Sequence, residues 1–231
     1  LKTPHINQTR GDIIVTGAAI IETLMEETGV EIVVATTRGL NYGLLDEYIN
    51  DLLGHIRHRG NAKDQSTQIL GRNFGIDEPH AKKVTSLAFG LFDSGYETGL
   101  HNLGHRHREL LKYSSYLHDV GNFISYNDHH LHSAYIIRNA NILGFDETEI
   151  DTIANIALYH REATPKRRHK RLNHLKRSEY QNIKILSMLL RIAENLDRSH
   201  SGAVKNAEFK YMNEKTVVLE ISSSRNCDVE I

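Results

Sequence analysis

The chain has 231 residues, 39% hydrophobic and 25% charged, and its 28 Lys/Arg against 29 Asp/Glu leave a net charge of −1, which allows one large globular domain or a medium one with an appendage and excludes a wholesale attraction to polyanions. The single cysteine, Cys227, excludes an internal disulfide and a thiolate zinc cluster and points to a reducing, cytoplasmic setting. With no run of about 18 apolar residues and no basic-then-apolar leader, the expectation is a soluble, unexported protein with no membrane partner.

In chain order, "DIIVTGAAIIETLMEET", 12–28, places Ile13, Ile14, Ala18, Ile21, Leu24 and Met25 at helical spacing, with Gly29 set to end the helix. "VEIVVAT", 30–36, predicts a short buried strand, and "RGLNYGLLDEYIND" a turn and helix. One strand cannot satisfy its own backbone, so this α/β piece is expected to belong to a sheet whose other strands lie elsewhere. From Asn61 onward the apolar period is helical, over about 63–74, 77–94, 107–119, 129–140, 146–161 and 179–198. Asp77 is an N-cap candidate with Pro79 in the first turn, and Asp146 repeats the device ahead of Glu147 and Glu149. Beyond Asp197, "AEFKYMN" and "KTVVLEISS" alternate like two strands joined at Asn213–Glu214.

The stretch "SSYLHDVGNF", 114–123, runs an apolar helix directly into His118 and Asp119, side chains that a packed interior excludes unless they are partnered. An adjacent His-Asp pair at a helix end can offer nitrogen and oxygen to one divalent ion. Two more candidate ligands lie at the start and end of other helices, His80 and Asp197. Packed as a bundle, these helices would bring His80, His118, Asp119 and Asp197 to one centre. The alternative is a hydrogen-bonded core pair that orients two helices.

The order His … His-Asp … Asp resembles the HD phosphohydrolase superfamily. The strings "DIIVTGAAIIETLMEETGVEIVVATTRGLNYGLL", "LHDVGNFISYNDHHLHSAYII", "LYHR" and "AENLDRS" together resemble the C-terminal half of the exopolyphosphatase/guanosine pentaphosphate phosphatase (Ppx/GppA) family. That resemblance implies a mainly α fold: residues 1–50 as the tail of an actin-like α/β domain with its linker, 51–200 as an HD-type helical bundle, and 201–231 as a short β extension. It also implies a phosphohydrolase that releases terminal phosphate from polyphosphate or guanosine pentaphosphate, with its principal active site in α/β segments not among these residues. A divalent metal (Mn²⁺, Mg²⁺, Fe or another) and a homodimer are expected with it. His118 and Asp119 would be catalytic only if the helical site is itself active. The rival readings are an autonomous metal-dependent hydrolase of nucleotides or phosphoesters, and a non-enzymatic polyanion-binding or dimerisation module.

Fifteen histidines are the compositional oddity. His129 and His132 share a helix face, and with His160 they are candidates for a second metal or a phosphate; His132 is equally suited to hydrogen bonding at a helix start. His55, His58, His101, His105 and His107 sit in polar stretches and are expected at the surface. "TPKRRHKRLNHLKR", 164–177, carries seven Lys/Arg and no acid. With Arg161, its Lys166, Arg167, Arg168, Lys170 and Arg171 suit phosphate oxygens, unless the segment is merely a solvated loop. No aromatic residues interleave them, which argues against single-stranded or sequence-specific nucleic acid.

Overall fold

The computed structural model describes residues 13–33, 39–41, 43–44, 61–213 and 216–227, save the side chain at 212. The chain divides into two units, Leu1–Arg57 and His58–Ile231. In the first, α1 spans Ile14–Thr28, and Gly29 closes it in the left-handed region at φ 66°, its N–H donating to the Glu26 carbonyl. Val30–Val33 form no strand, because no pairing partner lies among the described residues. The rest of the expected strand, and most of the helix expected over 38–51, lie outside those residues.

The second unit is helical, as the apolar spacing predicts: α2 (Ala62–Asn73), α3 (Glu78–Glu97), α4 (His105–Leu117), α5 (His129–Asn139), α6 (Glu147–Leu158) and α7 (Arg177–Asn195). A 3-10 turn, Val120–Phe123, follows α4. Two predicted helices end early, at Leu117 and Leu158 rather than at 119 and 161. Their last residues leave the helix to carry site side chains. The bundle closes on fully buried Leu87, Leu91, Leu111, Leu117, Ile137, Ile153, Ile156 and Leu190, contributed by α3 to α7. Each such side chain contributes about 1.5–3 kcal/mol when buried.

Capping fixes where these helices begin. Asp77 accepts the His80 N–H at 3.1 Å, which places His80 in the first turn of α3. Asp146 and Glu149 form a reciprocal capping box at α6, with the Glu149 N–H on Asp146 Oδ1 at 2.8 Å and the Asp146 N–H on Glu149 Oε2 at 3.3 Å. Glu149 also pairs with Lys63 at 3.1 Å, so the cap ties α6 to α2. Asp146→Ala is expected to cost about 1 kcal/mol, read as a lower denaturation midpoint at unchanged m-value.

The C-terminal segment forms an antiparallel hairpin, β1 (Val204–Asn213) and β2 (Thr216–Ser223), with Phe209 opposite Leu219. It packs on α3, where the Phe209 N–H donates to Ser94 Oγ at 2.9 Å. No helix among the described residues is long and apolar enough to cross a membrane.

Candidate metal centre

Four helix ends converge on the Asp119 carboxylate. His118 is the residue just past α4 and Asp119 the next; His129 opens α5; His160 lies just past α6; His80 sits in the first turn of α3. The Nε2 atoms of His129, His118 and His160 lie 3.2, 3.5 and 3.9 Å from Asp119 Oδ1, and His80 Nε2 lies 4.0 Å from Oδ2. Ligand atoms of His80, His118 and Asp119 fall within 4.8 Å of one another, as do those of Asp119, His129 and His160, so the two groups share Asp119.

The other ring nitrogen reveals how each imidazole is held. His118 Nδ1 lies 2.7 Å from the Ser115 carbonyl, His129 Nδ1 3.0 Å from that of Tyr126, and His160 Nδ1 2.6 Å from that of Ala157. A carbonyl only accepts, so each Nδ1 carries the proton and donates. Every neutral ring therefore presents an Nε2 lone pair. His80 follows the same logic through a side chain, its Nδ1 donating to Asp197 Oδ2 at 2.9 Å. His80 Nε2 and His118 Nε2 are buried and have no hydrogen-bond partner. His129 Nε2 and His160 Nε2 face each other at 3.1 Å. Lone pairs crowded around an ionised carboxylate repel unless a proton or a cation sits among them.

Titration follows that crowding. Burial alone would push the Asp119 carboxyl up, but His118, His129 and His160 hold it well below the usual carboxylate range. Burial works against charge on His129, yet the Asp119 carboxylate more than offsets it and raises its pKa. His160 and His80 are lowered, chiefly by burial and then by the neighbouring His118. Asp119 thus favours the charged form of His129, while burial disfavours that of His80 and His160.

Of the four ligands predicted from sequence, the structure brings His80, His118 and Asp119 together and sets Asp197 behind them. Both Asp197 oxygens are committed, Oδ2 to His80 and Oδ1 to the Gly202 N–H at 2.8 Å. Its place is that of a carboxylate orienting an imidazole. His129 and His160 join the cluster, whereas His132 is partly exposed on α5 and belongs to neither group. Arg161 lies at the rim, Nη1 3.4 Å from His129 Nδ1 and its guanidinium 5.2 Å from the Tyr126 ring centroid.

Two further residues escape the sequence reading. His200 stacks face to face on His80, centroids 3.7 Å apart, and its Nδ1 meets Asp77 Oδ2 at 2.9 Å. Glu194 lies within electrostatic reach of His118 and Asp119; burial raises its carboxyl pKa, and Asp119 adds to the rise against His118. Its one sequence signal is its place three residues before Asp197, in the last turn of α7.

Among the histidines expected at the surface, His105 is exposed, but His101 is buried against Phe92, with Nδ1 accepting the Leu103 N–H at 3.2 Å. A polar neighbourhood in sequence hid that aromatic contact. His107 is half-buried and paired with Asn182 at 2.9 Å; His55 and His58 lie outside the described residues. The basic segment is pinned rather than loose: Leu172 is fully buried, Tyr159 donates to His169 at 2.8 Å, and Tyr180 donates to the Pro165 carbonyl at 3.0 Å. Lys166, Arg167, Arg168, Lys170 and Arg171 remain exposed.

Comparison with known proteins comes to the same region of the chain. Residues 62–228 match the family model for Ppx/GppA phosphatase, domain III. A guanosine-5'-triphosphate,3'-diphosphate pyrophosphatase of Pseudoalteromonas translucida (strain TAC 125) is 27% identical over 165 residues, 70% of this chain and 31% of the relative. Its counterpart in Aeromonas hydrophila subsp. hydrophila is 32% identical over 130 residues, 56% of this chain and 25% of the relative. The chain spans less than a third of the length of these relatives.

Proposed function

The chain belongs to the Ppx/GppA phosphatase family, matching its domain III over residues 62–228, and from that premise we propose that it is the cation- and polyanion-binding part of a phosphohydrolase acting on guanosine pentaphosphate or polyphosphate. On this reading the helical unit is of HD type, residues 1–50 are the tail of an actin-like domain, 201–231 are a short β extension, the main hydrolytic site lies in α/β segments not among these residues, and the parent is a homodimer. The activity for which the relatives are named and the basic segment support the substrate class.

The observation that carries the proposal is the set of imidazoles whose Nδ1 atoms are tied down and whose Nε2 lone pairs meet at one carboxylate. Such a donor set fits a divalent cation, with His80, His118, Asp119, His129 and His160 as its holders. Being rich in imidazole nitrogen, it favours a transition-metal dication over Mg²⁺, which selects oxygen ligands. When bound, the cation supplies Lewis acidity to a phosphate oxygen and to water. Asp197 orients His80, backbone carbonyls orient the other rings, and Arg161 with the pinned basic segment holds an anionic chain near the rim.

The test is calorimetric titration of the protein, loaded with Mn²⁺, by inorganic tripolyphosphate. Arg167→Glu with Arg168→Glu should weaken binding by about tenfold or more and flatten its salt dependence. Unchanged affinity would remove the basic segment from the reading. The autonomous-hydrolase alternative predicts Mn²⁺-dependent turnover of nucleotides by this chain alone; polyphosphate binding without turnover favours the main reading, or a non-enzymatic module.

A further inference from the structure

We propose that a second pocket, walled by α2, α3 and α4 and sharing no residue with the histidine cluster, binds a small uncharged molecule of single-ring size. The cavity measures about 190 Å³ and is lined by Asp64, Thr67, Gln68, Lys112, Tyr113 and Tyr116, with Lys82 and Thr85 at its α3 wall. That is several times the roughly 30 Å³ one water occupies in the liquid, so the space exceeds what satisfying a single hydroxyl requires.

Two residues that line this cavity carry buried hydroxyls without a partner. Thr67 is 2% exposed and Tyr116 8% exposed, and neither Thr67 Oγ1 nor the Tyr116 hydroxyl has a hydrogen bond. Thr85, Thr98 and Ser114 each donate to the carbonyl four residues back, at 2.7 Å, whereas Thr67 makes no such bond. Tyr113, Tyr159 and Tyr180 all find acceptors for their hydroxyls. A buried hydroxyl left unpaired costs about 1–3 kcal/mol, and two of them on residues that wall one cavity are what point to an occupant there.

Charge bookkeeping selects a neutral occupant. Lys82 pairs with Glu78 at 2.8 Å, and Lys112 pairs with Asp64, which also accepts from the Tyr113 hydroxyl at 2.9 Å. Each lysine at the pocket thus has its own carboxylate, and a phosphate or carboxylate ligand would have to break one of these pairs. The remaining walls are the tyrosine rings and the lysine stems, which suit a flat ring. Gln68 and the Asp64 carboxylate add acceptors to the hydroxyl donors, so the ring should carry both carbonyl and N–H groups, as a heterocyclic amide does.

The test is two-dimensional amide NMR of the whole chain, titrated separately with uracil, nicotinamide and inorganic phosphate. Saturable shifts at Thr67, Gln68 and Tyr116 with uracil or nicotinamide, and none with phosphate, are the expected result. Thr67→Val combined with Tyr116→Phe, a near-isosteric pair that keeps the fold, should weaken that binding at least about tenfold, while Thr67→Ser retains it. Neither ring saturating, phosphate producing the same shifts, or the double variant binding as tightly as wild type would each overturn the proposal.

Discussion

Asp119→Asn is expected to lower the affinity of the protein for Mn²⁺ by more than about 100-fold, read by calorimetry or by metal content after dialysis. Outer-shell partners of metal ligands typically contribute 10–100-fold each. Asp119 stands a step closer than those, because it is the one residue common to the two groups that make up the cluster. Asparagine keeps the shape and removes the charge, so the remaining Nε2 lone pairs would face a dipole instead of a carboxylate. The cation also has to displace a proton. His129 is the imidazole whose pKa Asp119 raises above its ordinary value near 6.5, so Mn²⁺ affinity should fall as pH drops through that raised pKa, with one proton released per site filled. Stability of the cation-free protein runs the opposite way. The Asp119–His129 attraction is fully present below pH 6.5 and is lost as pH climbs through the raised pKa. Equal Mn²⁺ content in wild type and Asp119→Asn, or an affinity indifferent to pH between 5 and 8, would reduce the cluster to a hydrogen-bonded core.

How much of this was legible in the sequence depends on the kind of information each feature needs. Helices α2 to α7 are readable because their apolar residues recur every three to four positions and because Asp77 and Asp146 are capping residues in capping places. The convergence of His80, His118 and Asp119 is readable because each is a polar residue at a helix end beside a buried face. Asp197 is not readable to the same depth. Sequence places it near the cluster, but only coordinates reveal that its two oxygens are spent on His80 and the Gly202 N–H. His132 fails for a related reason: sharing a face with His129 in projection does not put it at the turn where α5 meets Asp119. His101 and His200 lie in polar strings, and their burial or stacking depends on Phe92, across the turn after α3, and on His80, far away in the chain. The carbonyls of Ser115, Tyr126 and Ala157, which decide which nitrogen each ring presents, leave no trace in residue identity at all. Each is nevertheless the residue three before its histidine, at a helix C-terminus for Ser115 and Ala157 and across the turn that precedes α5 for Tyr126.

Gly121→Ala is the other substitution with a large expected effect, and it tests whether the 3-10 turn is the mould for the centre. A methyl group at 121 would lie 2.1 Å from the His129 carbonyl oxygen and 2.4 Å from the Ser133 nitrogen, both backbone atoms of α5 that cannot swing aside. The Gly121 N–H meanwhile donates to Ser133 Oγ at 2.9 Å, which locks the turn to that helix. Inserting one carbon here forces α5 away from the turn, and overpacking of this kind typically costs about 1–3 kcal/mol, more where backbone must move. The displacement falls on His129, whose Nε2 must stay near Asp119, only two residues before Gly121. The variant should therefore lose both stability, as a lower melting temperature, and Mn²⁺ affinity. Alanine at Gly104, where nothing lies within 4 Å of the added carbon, serves as the control and should bind the ion as wild type does. A Gly121→Ala protein that melts and binds Mn²⁺ like wild type would show that α5 is not held against the turn as described, and the placement of His129 would fall with it.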